Sequence, residues 1–241
     1  MTAVGRMTAR SVVLSVLLGA HPAWATAAEL IRLTAEFDIT DAALRVALTR
    51  MVASGDLIRS ADGYRLADRL LARQRRQDDA LEPRTRPWRG NWKTVVVTSV
   101  GLSARERADL RRQLQDHRFG ELREGVWLRP DNLESGFAAM ATVRILSSVD
   151  DAPEELAGRL WDLPGWAAGA QDLLAAMDAG ADVPTRFAVA AGMVRHLLAD
   201  PVLPAQLLPA RWPAQRLRDE YARFATELAD RRDQFAGSRA R

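Results

Sequence analysis

Apolar residues recur at helical spacing through the first sixty-odd positions, and short polar or glycine-bearing breaks divide them into blocks. Residues 10–19 carry the run Val12 to Leu18 and stop at Gly19, which predicts a first helix ended by His21-Pro22. Thr26 to Phe37 places Ala27, Leu30, Ile31, Leu33 and Ala35 as the apolar contacts of a second helix. A third runs from Thr40, with Leu44, Ala47, Leu48, Met51 and Val52 on one face and Gly55 as its stop. Thr40 stands at the N-cap position, and Asp41 suits the positive end of the helix. Beyond it the period changes. Leu57–Ser60 and Tyr64–Leu66 read as two short strands, and Ala61-Asp62-Gly63 between them is a hairpin signal.

Ala67 to Pro87 is polar and charged. It can begin as a helix, but Pro83 and Pro87 end it, and residues 77–87 read as a connector. Then β-branched residues take over. Trp92 to Val100 predicts a strand whose consecutive valines, Val95, Val96 and Val97, imply cover on both faces. Ser103 to Asp116 predicts an amphipathic helix opened by a capping box of Ser103 and Glu106. Phe119–Leu122 and Gly125–Arg129 predict two strands around a tight turn. A short helix over Asn132–Met140 and a strand over Thr142–Val149 complete a β-α-β-β-α-β order, the ferredoxin-like split motif. From Pro153 the pattern is helical: Glu154–Leu163, Trp166–Met177, Thr185–Leu198 and Pro213–Asp233, with Pro201, Pro204 and Pro209 between the last two. The predicted class is α+β. Its segments are an N-terminal domain (1–76), the connector, a ferredoxin-like domain (88–150) and a helical domain (151–241).

Composition narrows the chemistry. Nearly half of the 241 residues are apolar, enough for real cores. Net charge is only +3, so the basic side chains permit contact with a polyanion without demanding it. Nearly all of them are arginine; Lys93 is the single lysine. The absence of cysteine excludes disulfides, thiolate catalysis and cysteine-ligated zinc. Three histidines, His21, His117 and His196, leave little for a histidine-rich metal site. No apolar run reaches the ~18 residues of a membrane span. Arg6 and Arg10 ahead of Val12–Leu18, with Ala23-Trp24-Ala25 following, have roughly the layout of a secretory signal. The rival, which we take, is the first helix of a domain that continues unbroken.

Three helices followed by a hairpin is the order of a winged helix-turn-helix, in which the third helix enters the major groove and the wing lies along the backbone or in the minor groove. Arg45 and Thr49, one turn apart, point the same way: Arg45 is the expected base contact, Thr49 can meet a base or a phosphate, and Arg50 is a phosphate contact. Thr40 and Asp41 at the helix start, and Arg59 and Arg65 on the hairpin, complete the expected DNA-facing set. The bland alternative is a solvated face, with Arg45 paired to Asp41 or Asp38. Trp88, Trp92, Trp127 and Trp161 read as core rather than as an aromatic ligand box. Arg195 and His196, adjacent on a predicted helix, are the candidate contacts for a phosphate-bearing effector. The competing reading is a basic helix C-terminus. No P-loop, G-x-G-x-x-G, G-x-S-x-G or H-E-x-x-H is present. No cofactor, metal or catalytic residue is expected.

Four stretches in order resemble the PaaX family of transcriptional repressors, which control phenylacetic-acid degradation and related aromatic catabolism. They are Arg10-Ser11 with VVLSVLLG; ALRVALTRMVASGDL; WRGNW with LRRQLQDHRFGELREGVWLRPDNL; and Leu160-Trp161-Asp162-Leu163 with DPVLPAQLLPARWP. The resemblance implies a winged helix that binds DNA and a central ferredoxin-like domain similar to that of a small CRISPR-associated nuclease family. It implies a helical tail that supports a homodimer and, with the middle, an effector site for an aromatic acyl-coenzyme A such as phenylacetyl-coenzyme A. Nucleases of the related fold use a carboxylate at the end of the first strand. Here that strand reads TVVVTSVGL, so no nuclease activity is expected. The resulting expectation is a cytoplasmic homodimeric repressor on an inverted-repeat operator, released by an acyl-coenzyme A. The rivals are a winged-helix adaptor between proteins and a metal-dependent nuclease.

Overall fold

A computed structural model describes residues 7–134, 136–138 and 140–237, with side chains of the last helix followed to residue 231. The contacts group the chain into two units. The first comprises Met1–Leu81, Asp172–Arg195 and Gln215–Arg241; the second, Glu82–Gln171 and His196–Ala214.

The first unit opens with α1 (Ala9–Gly19), β1 (Trp24–Ala25), α2 (Ala27–Ala35), α3 (Asp41–Ala53), β2 (Leu57–Arg59) and β3 (Tyr64–Leu66). Each of the three helices is started by a hydroxyl. Thr8 accepts from the Ser11 amide, Thr40 from the Ala43 amide, and Thr26 forms a full capping box with Glu29. Val12, Val13 and Leu17 of α1, Leu30 of α2 and Leu44, Leu48 and Met51 of α3 form the buried core. The strands pair antiparallel in the order β1-β3-β2, with Ala25 opposite Tyr64 and Ile58 opposite Arg65. The two-residue β1 was not among the expected elements. It contains part of the Ala23-Trp24-Ala25 triplet, and Ala25 is fully buried.

The polar stretch does begin as a helix that stops before Pro83, α4 (Asp68–Leu81), and it runs through the boundary drawn at residue 76 into the expected connector. Its buried face is made by Leu70, Gln74, Gln77 and Ala80. Gln74 explains why: its Nε2 donates toward the Leu17, Leu18 and Ala20 carbonyls at the C-terminal end of α1, satisfying groups a helix end leaves open. The chain returns to this unit with parts of α7 (Leu163–Ala179) and α8 (Val183–Leu198) and with α9 (Ala214–Gly237). Phe187 of α8 meets Phe37 edge-on at 5.0 Å and Phe224 of α9 at 6.4 Å. Arg218 Nε donates to the Ala80 carbonyl at 3.0 Å, tying α9 to the end of α4.

The second unit is built on β4 (Asn91–Val97), α5 (Ala104–Asp116), β5 (Gly120–Arg123), β6 (Val126–Pro130) and β7 (Val143–Val149). The sheet is antiparallel in the order β5-β6-β4-β7, the strand order of the ferredoxin-like split motif. β4 is covered on both faces, as its valine run requires. Val95 packs with Leu114, Phe119, Trp127 and Val143 on the α5 side. On the other side Trp92 packs with Leu128, Leu163, Leu203 and residues of α6 (Pro153–Leu160). The strand ends three residues before the expected Val100, which is fully exposed. The short helix expected over Asn132–Met140 is absent among the described residues. Residues 132–134 lie extended against residues 84–86 instead: the Arg86 amide donates to Asn132 and the Glu134 amide to Arg84. A backbone spent on those bonds cannot close helical turns. Of the four tryptophans read as core, Trp92 and Trp127 are buried, while Trp88 and Trp161 are half-buried and pack against Trp92 from the rim of its cluster.

Candidate nucleic-acid interface

α3 is amphipathic by position. Leu44, Leu48 and Met51 point into the core, while Asp41, Arg45, Thr49 and Arg50 are exposed. The helix ends at Ser54, and Gly55 follows at φ 70°, the left-handed turn glycine allows. Thr40, the N-cap, is exposed, and its side chain is occupied by the Ala43 amide at 3.3 Å.

The expected contacts are placed as follows. Arg45 Nε lies 2.9 Å from an Asp41 carboxylate oxygen, so the salt bridge named as the bland alternative is present. Both partners are more than half exposed, and such an i,i+4 pair stabilises by only ~0.5 kcal/mol. It orients the guanidinium and yields readily to a stronger anion. The Thr49 hydroxyl donates to the Arg45 carbonyl at 3.0 Å, which turns its methyl outward. Arg50 is exposed on the next ridge. Arg59 ends β2, exposed; Arg65, on β3, lies 3.6 Å from Asp68. The expected set thus lies on α3 and on the hairpin that follows it.

One residue that sequence reasoning passed over ties down the end of this helix. Asp56, only 1% exposed, sits just after the turn. Its carboxylate accepts from Arg10 Nη2 at 2.9 Å and from Ser54 Oγ at 3.1 Å, and pairs with Arg69. Arg69 Nε also reaches the Gly55 carbonyl at 3.1 Å. One carboxylate therefore joins the end of α3 to α1 and α4. Burial alone would raise its pKa. The hydrogen bonds from Arg10 and Ser54 and the charges of Arg10 and Arg69 outweigh that and hold it below the usual 3.8. A Gly-Asp step after a helix was the only signal for it, because its charged partners, Arg10 and Arg69, are remote in sequence.

The two candidate effector contacts have different surroundings. Arg195 is exposed on α8. His196 is half-buried: its ring stacks on Trp166 at 4.5 Å, and Trp166 stacks in turn on Trp212 at 4.6 Å. His196 Nε2 is 2.8 Å from the Trp166 carbonyl, and Trp166 Nε1 donates to the His196 carbonyl at 3.1 Å. Among the described residues no cluster of three His, Cys, Asp or Glu is arranged to hold a metal ion, and no helix is long and apolar enough to cross a membrane.

The central sheet makes this a mixed α/β protein with a ferredoxin-like middle. Comparison with known proteins adds the family. Models described as PaaX-like protein, PaaX protein central Cas2-like domain and PaaX-like protein C-terminal domain match residues 8–70, 85–150 and 166–238. The chain belongs to the PaaX family, a family of transcriptional regulators. Among solved structures it is similar to the uncharacterized protein Rv0674 from Mycobacterium tuberculosis. The two share 64% identity over 94% of this chain and 98% of that one, with a TM-score of 0.85. No curated protein matches the sequence.

Proposed function

We propose that the protein is a DNA-binding repressor released by an acyl-coenzyme A. Residues 1–76 act as a winged helix-turn-helix, with α3 as recognition helix and the β2–β3 hairpin as wing. The observation that carries this is α3 itself: a capped helix with one face locked into the core and the other presenting arginines, followed at once by a hairpin with two more. Arg45 and Thr49 face base edges, Arg50, Arg59 and Arg65 the phosphates, and Thr40 and Asp41 fix the helix start. Two copies related by two-fold symmetry occupy an inverted repeat. Residues 151–241 carry dimerisation and, with residues 88–150, effector sensing, with Arg195 receiving a coenzyme A phosphate beside His196. An aromatic acyl thioester such as phenylacetyl-coenzyme A favours the state that does not bind DNA, which it does only by binding that state more tightly.

The test is a gel shift on the DNA upstream of the protein's own gene. The wild type is expected to bind and the Arg45→Ala, Thr49→Ala double variant to lose at least tenfold. Equal binding by the variant would sink the assignment of α3. A thermal-shift series with acyl-coenzyme A thioesters tests the effector: a rise in melting temperature that Arg195→Ala abolishes is expected.

A further inference from the structure

Val46 is half exposed, the largest apolar side chain on the outward side of α3. At 100° per residue, Ala42, Val46 and Ala53 fall within an arc of about 40°, directly opposite the stripe of Leu44, Leu48 and Met51. The middle of the outward face is therefore small and apolar, and the arginines flank it: Arg45 on one side, Arg50 on the other. Thr49 adds to it, because its hydroxyl is turned back to the Arg45 carbonyl and leaves the methyl to the outside. A β-branched residue lowers helix propensity, and half of this one is left to solvent.

We infer that Val46 contacts the C5-methyl group of a thymine in the major groove and so makes that base part of the operator. This rests on the reading of α3 as recognition helix. The occupant is duplex DNA because the apolar centre is flanked by exposed cationic side chains, Arg45 and Arg50, and the hairpin that follows adds an exposed Arg59, all of which suit a polyanion. Alanines at 42 and 53 let the helix sit deep enough for a short side chain to reach a base edge. Thymine is the base that presents a methyl group in that groove, and apolar side chains are its natural contacts.

The experiment starts from duplexes that full-length wild-type protein selects from a random library. Each thymine of the selected half-site is replaced in turn by uracil, which removes only the methyl, and dissociation constants are measured for wild type, Val46→Ala and Val46→Thr. One thymine per half-site is expected whose replacement weakens the wild type about fourfold, the worth of one buried methyl. Val46→Ala should bind the thymine duplex about as weakly as wild type binds the uracil duplex, with no further loss on uracil. Val46→Thr, which keeps one γ-methyl, should fall between. An unchanged melting temperature for both variants checks folding. If uracil costs nothing anywhere, or costs Val46→Ala as much as wild type, the inference is overturned while the repressor reading stands. If wild type selects no duplex at all, both fall.

Discussion

At the scale of single residues, Asp56 governs more than its own neighbourhood. Its carboxylate is buried and ionised, held by partners that are themselves more than half exposed. Asp56→Asn keeps the shape and removes the charge, so it is expected to cost ~1.5–3 kcal/mol at neutral pH, measured by urea unfolding. The pH dependence follows from the lowered pKa. Stability from this group is present above the unfolded value near 3.8 and is lost as pH falls through the folded value. Unfolding free energy of the wild type should therefore drop steeply below about pH 4, and the Asn variant should show a shallower acid limb. Identical limbs would mean that Asp56 is not the carboxylate being titrated.

At the scale of elements, two substitutions separate local preference from packing. Thr40→Ala removes the cap of α3 and should cost ~1 kcal/mol, with DNA affinity falling as the first turn frays. Gly169→Ala in α7 runs the other way from the usual rule. Alanine in place of glycine inside a helix normally gains up to ~1 kcal/mol. Here a Cβ would stand 2.8 Å from Cε1 of His196, whose ring is stacked on Trp166 and held to its carbonyl. The ring has no room to yield, so a lower melting temperature is expected, as for other overpacked sites; a higher one would show the stack to be loose. These elements also show what hydropathy pattern can convey. Caps at Thr40, Ser103 and Glu106, and the heptad-like stripe of α3, are local and were legible. α4 was legible as a helix that Pro83 ends, but its packing was not, because its inward face uses Gln74 and Gln77, which a hydropathy pattern assigns to solvent. β1 is too short for any period to register. The missing helix after Pro130 was lost to a non-local pairing with residues 84–86. At the candidate interface the polar face was readable. Asp56, whose partner Arg10 lies 46 positions away, was not, and an outward valine carries no signal until the helix is built.

At the scale of the molecule, the reading as a dimer on DNA sets a salt dependence. Arg50, Arg59 and Arg65 on phosphates in each of two subunits predict a slope of log binding constant against log salt of about −5. Arg59→Ala should make it shallower by about two, one contact in each subunit. A slope near zero in the wild type would favour a winged-helix adaptor that binds protein. The order in which the chain visits its two units has a separate consequence. It passes from one to the other after Leu81, Gln171, Arg195 and Ala214. A regulator whose parts follow one another in sequence can acquire a new input by a single recombination between genes. Here any single cut divides the first unit, and a cut between residues 82 and 214 divides both. Hybrids joined at one crossover between relatives should therefore fold only when the two parents already match in the segments that make up the first unit.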